Sequence, residues 1–295
     1  MTTPFKCGYA AIIGLPNAGK STLMNNLLDI HLGIVSARPQ TTRRNALGIM
    51  NREDMQCIFL DTPGIVKPKY ELHDRMNKQI EAALKDADVV VLMVDAHSRE
   101  HPVDLGWPLQ FLKKHPVIVV LNKIDLMDKR RLLPLTDLYE KELAPAAIIP
   151  VSAEKRDGLE VLTNELHKWL PEGPPLYPPD SLTDQPERFF VGEIIREQIF
   201  HSYHDEIPYS ADVVIDTFKE RENVKDYIRA IIFVERESQK GILIGKGGVK
   251  LKKTGQRARQ AVEYFLQRPV YLELKVKVQH NWRKDKNALN RFGYG

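Results

Sequence analysis

Short apolar runs of strand length alternate with amphipathic stretches of helical period along the first 170 or so positions. The runs fall at 9–13, 56–60, 89–94, 117–121 and 148–151, and residues 20–28, 72–85 and 158–170 read as helices between them. The runs are near-continuously apolar, with little polar alternation, as strands covered on both faces are. That pattern predicts βαβ units, a mostly parallel sheet and helices on both faces. Six prolines then crowd into residues 171–186, a density that neither a helix nor a central strand can carry. The expected organisation is an α/β domain over 1–170, a proline-rich linker over 171–186 and a second domain over 187–295.

The second part has a different rhythm. Residues 187–203 read as a helix with Phe189, Phe190, Ile194, Ile195 and Ile199 apolar. Strand-like runs follow at 210–218 and 227–235, then a helical segment broken at 245–248, a longer helix to about 267 and a last strand at 270–278. This is an α+β order of helix, two strands, helix, helix, strand.

Charge sharpens the division. Of 43 Lys+Arg and 39 Asp+Glu in the chain, residues 219–295 hold 19 and 8, a net of +11, which leaves −7 for the rest. A basic C-terminal part points to a polyanionic partner. Cys7 and Cys57 are too few for a disulfide framework and read as small buried hydrophobes. No apolar run approaches the ~18 residues of a membrane span, and the start lacks the layout of a secretory signal, so the expected location is cytoplasmic.

The chemistry begins at GLPNAGKS, comprising Gly14, Leu15, Pro16, Asn17, Ala18, Gly19, Lys20 and Ser21, with Thr22 following. It fits G-x-x-x-x-G-K-[ST] between a strand and a helix, where backbone N–H groups face phosphate oxygens, Lys20 reaches the β and γ phosphates and Ser21 ligates Mg²⁺. DTPG (Asp61, Thr62, Pro63, Gly64) ends a strand; Asp61 holds Mg²⁺ through water and Gly64 offers its N–H to the γ-phosphate. NKID supplies Asn122, Lys123 and Asp125. Asp125 can accept the N1/N2 donor pair of guanine, which adenine lacks, and Asn122 can bond its O6/N7 side. SAE (Ser152, Ala153, Glu154) brings the Ala153 N–H to the guanine carbonyl.

These four elements resemble the translation-factor-related class of P-loop GTPases over residues 8–170. By that resemblance Gln40, Thr41 and Thr42 belong to a first switch loop, with Thr42 favoured over Thr41 as the Mg²⁺ ligand. Small GTPases place a water-orienting glutamine just after DxxG; here Ile65 stands there and can do no such work, so slow intrinsic hydrolysis is expected. Asn17 is similar to the asparagine that ligates an activating K⁺ in related GTPases; otherwise it is a turn asparagine.

Gly245, Lys246, Gly247 and Gly248 form a G-x-x-G loop between two helices, flanked by Ile242, Leu243, Ile244 and Val249. Lys250, Lys252, Lys253, Arg257 and Arg259 follow with no acidic residue between 241 and 259. The order resembles a type II KH domain, whose loop clamps about four single-stranded nucleotides. Trp282, Phe292 and Tyr294 in the basic tail could stack on bases, with packing on the last strand the more usual fate. His201 and His204 lack partners at metal spacing and read as surface histidines.

Together the halves are similar to the Era family of GTPases. The resemblance implies a monomeric, Mg²⁺-dependent ribosome-assembly factor that binds small-subunit (16S) ribosomal RNA near its 3′ end, acts in 30S biogenesis, and is also met peripherally at the inner face of the cell membrane. The alternatives are a related GTPase that modifies tRNA or has tandem G domains, and a constitutive RNA-binding protein with a structural nucleotide site. A second GxxxxGKS and a C-terminal cysteine are both missing, which argues against the former.

Overall fold

The computed structural model describes residues 4–36, 38–102 and 109–294. It divides into two compact units, Met1–Lys67 with Met76–Asp184, and Pro68–Arg75 with Gln185–Gly295. No described helix is long and apolar enough to cross a membrane.

The first unit runs β1 (Lys6–Gly14), α1 (Lys20–Leu28), β2 (Ala46–Asn51), β3 (Met55–Asp61), α2 (Glu71–Asp86), β4 (Val89–Asp95), α3 (Leu109–Leu112), β5 (Val117–Asn122), α4 (Leu132–Leu143), β6 (Ala147–Val151) and α5 (Leu159–Trp169). Six strands form one sheet in the order β2-β3-β1-β4-β5-β6. All neighbours are parallel except β2 and β3, which pair antiparallel at one edge. Ala11, Ile13, Val90, Leu92, Val119 and Leu121 pack with Ile80, Leu84, Leu112, Leu135 and Tyr139 in one layer. The intervening Ala10, Ile12, Val91, Met93, Ile118 and Val120 are equally buried, so the sheet is covered on both faces and its strands read as unbroken apolar runs. From β1 the chain runs outward to β2 and β3 on one side. It then crosses back over β1 to β4 and continues outward to β5 and β6 on the other, so the connections after β1 and after β4 run in opposite directions. The C-terminal end of β1 is therefore the topological switch point, where open α/β sheets bind ligands.

The proline-rich stretch is docked rather than loose. Glu172 bridges to Lys6, and Pro171 O accepts from the Cys7 N–H at 3.0 Å. Gln56, fully buried, accepts from the N–H groups of Leu176 and Tyr177 at 2.8 and 2.9 Å and donates to Tyr177 O at 2.8 Å. Ile49 N–H donates to Leu182 O at 2.9 Å, so the unpaired side of β2 is covered. The stretch expected as a linker over 171–186 thus packs on the first unit as far as Asp184, and the two units part between Asp184 and Gln185.

The second unit runs α6 (Glu187–Ser202), α7 (Ile207–Ser210), β7 (Asp212–Lys219), β8 (Asp226–Val234), α8 (Glu237–Ile244), α9 (Val249–Leu266), β9 (Val270–Val278) and α10 (Lys286–Arg291). Its sheet has the order β7-β8-β9, with β7–β8 antiparallel and β8–β9 parallel. Val191, Ile195 and Ile199 of α6, Val213, Ile228, Ala230 and Ile232 of the strands, and Ala258 and Val262 of α9 make one core. The tail aromatics are structural: Trp282 donates from Nε1 to Ser210 O at 2.8 Å, and the Tyr294 hydroxyl donates to Asp212 at 3.2 Å. Both are buried, and Phe292 packs against Phe233 of β8 with ring centroids 4.6 Å apart. The tail packs beside the start of β7 and against β8, and its aromatic rings are buried. Cys7 and Cys57 are buried thiols. His201 lies 3.9 Å from Glu197, and among the described residues no group of His, Cys, Asp or Glu could hold a metal ion.

Candidate functional site

A cleft of about 330 Å³ opens at the end of β1, lined by Pro16, Asn17, Gly19, Lys20, Ser21, Thr22, Ile34, Val35, Ser36, Gln40, Thr41, Thr42, Gly64, Lys123, Leu126 and Glu154. A recess of about 60 Å³ shares part of this wall and adds Asn122, Asp125 and Ala153. Gly19 has φ 96°, and a Cβ there would sit 2.3 Å from Asn122 Nδ2, so only glycine lets the loop close over α1. Lys20 is buried with its ammonium on the carbonyls of Gly14 (3.2 Å) and Leu15 (3.0 Å). Burial pushes its pKa down to about 8, opposed by the Asp61 charge.

Three oxygens from distant segments converge. Ser21 Oγ donates to Asp61 Oδ2 at 2.8 Å, and Thr42 Oγ1 lies 2.9 Å from Ser21 Oγ and 3.4 Å from Asp61 Oδ2. Asp61 Oδ1 is buried with no hydrogen-bond partner among the described residues. Burial pushes the Asp61 carboxyl up to about 6 despite Lys20, Ser21 and Thr42. A buried carboxylate oxygen left without a donor, beside two hydroxyls, fits a hard divalent cation with oxygen ligands. Thr41 lines the cleft beside Thr42.

Several side chains do other work than their motifs suggest. Thr62 is buried and donates its hydroxyl to Ile12 O at 2.8 Å, which ties the DTPG turn to β1. Asn122, only 2% exposed, donates from Nδ2 to Ala18 O at 2.8 Å and accepts the Ala153 N–H on Oδ1 at 2.9 Å. It braces the P-loop against the SAE loop and so engages both its own amide and the Ala153 N–H within the protein. Ser152, also buried, donates to Asp125 Oδ1 at 2.6 Å and so orients that carboxylate. Asp125 itself is exposed, so a base must cover it before an unpaired carboxylate can reject adenine. Ile65 is buried in the sheet–helix core, its N–H on Gly14 O at 3.0 Å, and no water can be oriented from there. Leu126, 57% exposed, and the strip Ile34–Ser36 also line the cleft; neither carries a motif, and only the folded chain brings them there.

In the second unit α8 ends at Ile244 and α9 begins at Val249. Gly247 (φ 61°) and Gly248 (φ 78°) are left-handed, with open space where a Cβ would be. Lys246, Lys250, Lys253 and Arg257 are exposed, and the 250/253/257 spacing sets the last three along one face of α9. Ile242 and Val249 are 45% and 67% exposed and Ile244 is partly so, but Leu243 lies wholly in the core and is no part of a groove floor. Arg259 sits 3.8 Å from Glu263 one turn on, so its charge is partly matched within the helix.

Residues 9–123 match the family described as "50S ribosome-binding GTPase", and 206–283 match the KH domain. GTPase Era of Syntrophus aciditrophicus (strain SB) is 47% identical over 294 residues, covering 98% of this chain and 95% of its own. A crystal structure of Aquifex aeolicus Era bound to GDP·AlF4⁻ superposes with a TM-score of 0.94 at 43% identity, over 99% of this chain and 100% of that one. A structure of Era with MgGDPNP and nucleotides 1506–1542 of 16S ribosomal RNA superposes equally well, at 43% identity and over 99% of each chain.

Proposed function

The chain belongs to the Era family of GTPases, and on that premise we propose that its GTP site times the binding of single-stranded small-subunit ribosomal RNA by the KH unit during 30S assembly. The reaction is hydrolysis of GTP to GDP and phosphate with Mg²⁺. The cation, when bound, neutralises charge on the β and γ phosphates; Ser21, Thr42 and Asp61 are the residues that would hold it. Lys20 and the backbone N–H groups of the P-loop carry the phosphates, and Asp125, set by Ser152, selects guanine. The observation that carries the reading is the Ser21–Thr42–Asp61 convergence, since Thr42 belongs to a loop that a γ-phosphate and Mg²⁺ can order and that hydrolysis can release.

Ile65 provides no water-orienting group, so the slow step calls for an outside aid. Asn17 lines the cleft with φ 64° and is the residue we assign to an activating K⁺. In the second unit the exposed apolar residues beside the GxxG loop take bases and the Lys250–Lys253–Arg257 face takes phosphates, which makes binding salt-dependent. The test is RNA affinity with a GTP analogue, with GDP and with no nucleotide. Three equal affinities would leave a constitutive RNA-binding protein with a structural nucleotide site.

A further inference from the structure

Lys123 is held by a residue that belongs to none of the nucleotide-binding motifs. Its backbone is left-handed, with φ 65°, a conformation that a side chain other than glycine adopts only where its surroundings enforce it. Its ammonium lies 2.6 Å from Asp95 Oδ2, with the two side chains only 30% and 21% exposed. Asp95 ends β4, directly opposite Asn122 on β5. Its other oxygen accepts the His97 N–H at 3.0 Å, and the Ala96 N–H donates to Asn122 O at 2.9 Å. The carboxylate is thus fixed at both oxygens and locked laterally to the strand that carries the base-recognition residues. Lys123 lines both the phosphate cleft and the base recess. Anchored by its backbone at one end and its ammonium at the other, it presents a held hydrocarbon stem to that recess rather than a mobile charge.

We propose that Asp95 is a positioning residue for the nucleotide: by pinning the Lys123 ammonium it keeps the lysine stem as an apolar wall against the purine face and slows nucleotide release. The inference rests on the reading of Asn122–Asp125 as the guanine recess. Guanine selection stays with Asp125, so Asp95 governs how long any purine nucleotide stays and leaves the choice of base unaltered.

The test is release of fluorescent GDP from the full-length protein in stopped flow. Asp95→Asn can accept the His97 N–H only by turning its amide NH2 toward the Lys123 ammonium, which removes the charge-assisted bond, and about tenfold faster release is expected. Single-turnover hydrolysis at saturating GTP should stay within about twofold, and the preference for GDP over IDP should not move, a split that general loosening of the fold would not produce. Lys123→Met keeps an unbranched stem without the charge; it should also speed release, and the double variant should release no faster than the faster single variant. Asp95→Glu should recover most of the retention. Release at the wild-type rate in Asp95→Asn, or multiplicative effects in the double variant, would overturn the proposal. Asp125→Asn separates this outcome from failure of the underlying reading. It should shift preference to xanthine nucleotides, and if it does not, the recess assignment has failed rather than the role of Asp95.

Discussion

Aspartate at both Gly247 and Gly248 puts two carboxylates into the loop proposed to meet the RNA backbone. Nothing lies within 4 Å of either added Cβ, so the structural cost is backbone strain alone. Left-handed aspartate costs about 1 kcal/mol per site, roughly 2 kcal/mol together, against a typical domain stability of about 5–15 kcal/mol; the unit should fold. A carboxylate about 6 Å from a phosphate repels it by about 3 kcal/mol at an effective dielectric of ~20, and solvent exposure reduces this to about 1–1.5 kcal/mol. Two such groups weaken binding by about 2–3 kcal/mol, or roughly 30- to 150-fold. Fluorescence anisotropy of a labelled single-stranded RNA with a GTP analogue and Mg²⁺ measures the loss. Alanine at both positions carries the strain without the charge and serves as the reference. GDP affinity should be unchanged in both variants. The reasoning is refuted if the Asp/Asp variant melts like the Ala/Ala variant and binds RNA within threefold of it.

Mg²⁺ affinity should depend on pH through Asp61. Its folded pKa of about 6 lies above the ordinary 3.8, so below pH 6 the cation must displace a proton, and isothermal titration should show affinity falling about tenfold between pH 7 and pH 5 while staying flat above 7. Folding of the nucleotide-free chain has the opposite sign for this group: a raised carboxyl favours the folded state at low pH, and that contribution is lost as pH rises from 3.8 to about 6. GTP turnover should be several-fold faster in KCl than in NaCl, and Asn17→Ala should abolish the difference; equal rates in the two salts would remove the role given to Asn17. Gln56→Ala leaves three backbone partners in the docked stretch without their bonds, so thermal unfolding of the first unit should show a loss of about 2–4 kcal/mol, and an unchanged midpoint would mean the stretch is held elsewhere.

Much of this was legible in the chain because strand runs, glycine turns and motifs are local signals. The five apolar runs became β1, β3, β4, β5 and β6, and the break at 245–248 became the GxxG turn. β2 escaped because Ala46–Asn51 is an edge strand made by its pairing to β3, and ALGIMN has no alternation of its own. The stretch 171–186 reads as a linker by composition, yet backbone bonds from β1 and β2 and the buried Gln56 of β3 hold it against the first unit. Asn122, Thr62 and Ser152 sit in the motifs that identify a GTP site, but a motif does not say whether a side chain faces the ligand or the protein. In all three cases that depends on carbonyls, amides or carboxylates brought in by other segments. Leu243 shows the same limit on a helix, since neighbours Ile242 and Ile244 face out while it points to the core.

The central claim is coupling between the GTP site and RNA binding, and linkage tests it without assuming any motion. If RNA binds the GTP-analogue form more tightly than the GDP form by some factor, saturating RNA must raise the affinity for the analogue relative to GDP by the same factor. The measurement is therefore nucleotide affinity for both ligands with and without saturating RNA on one preparation. A shared factor of about tenfold or more is expected, in line with the 1–3 kcal/mol typical of such coupling. Nucleotide affinities that RNA leaves unchanged would contradict it.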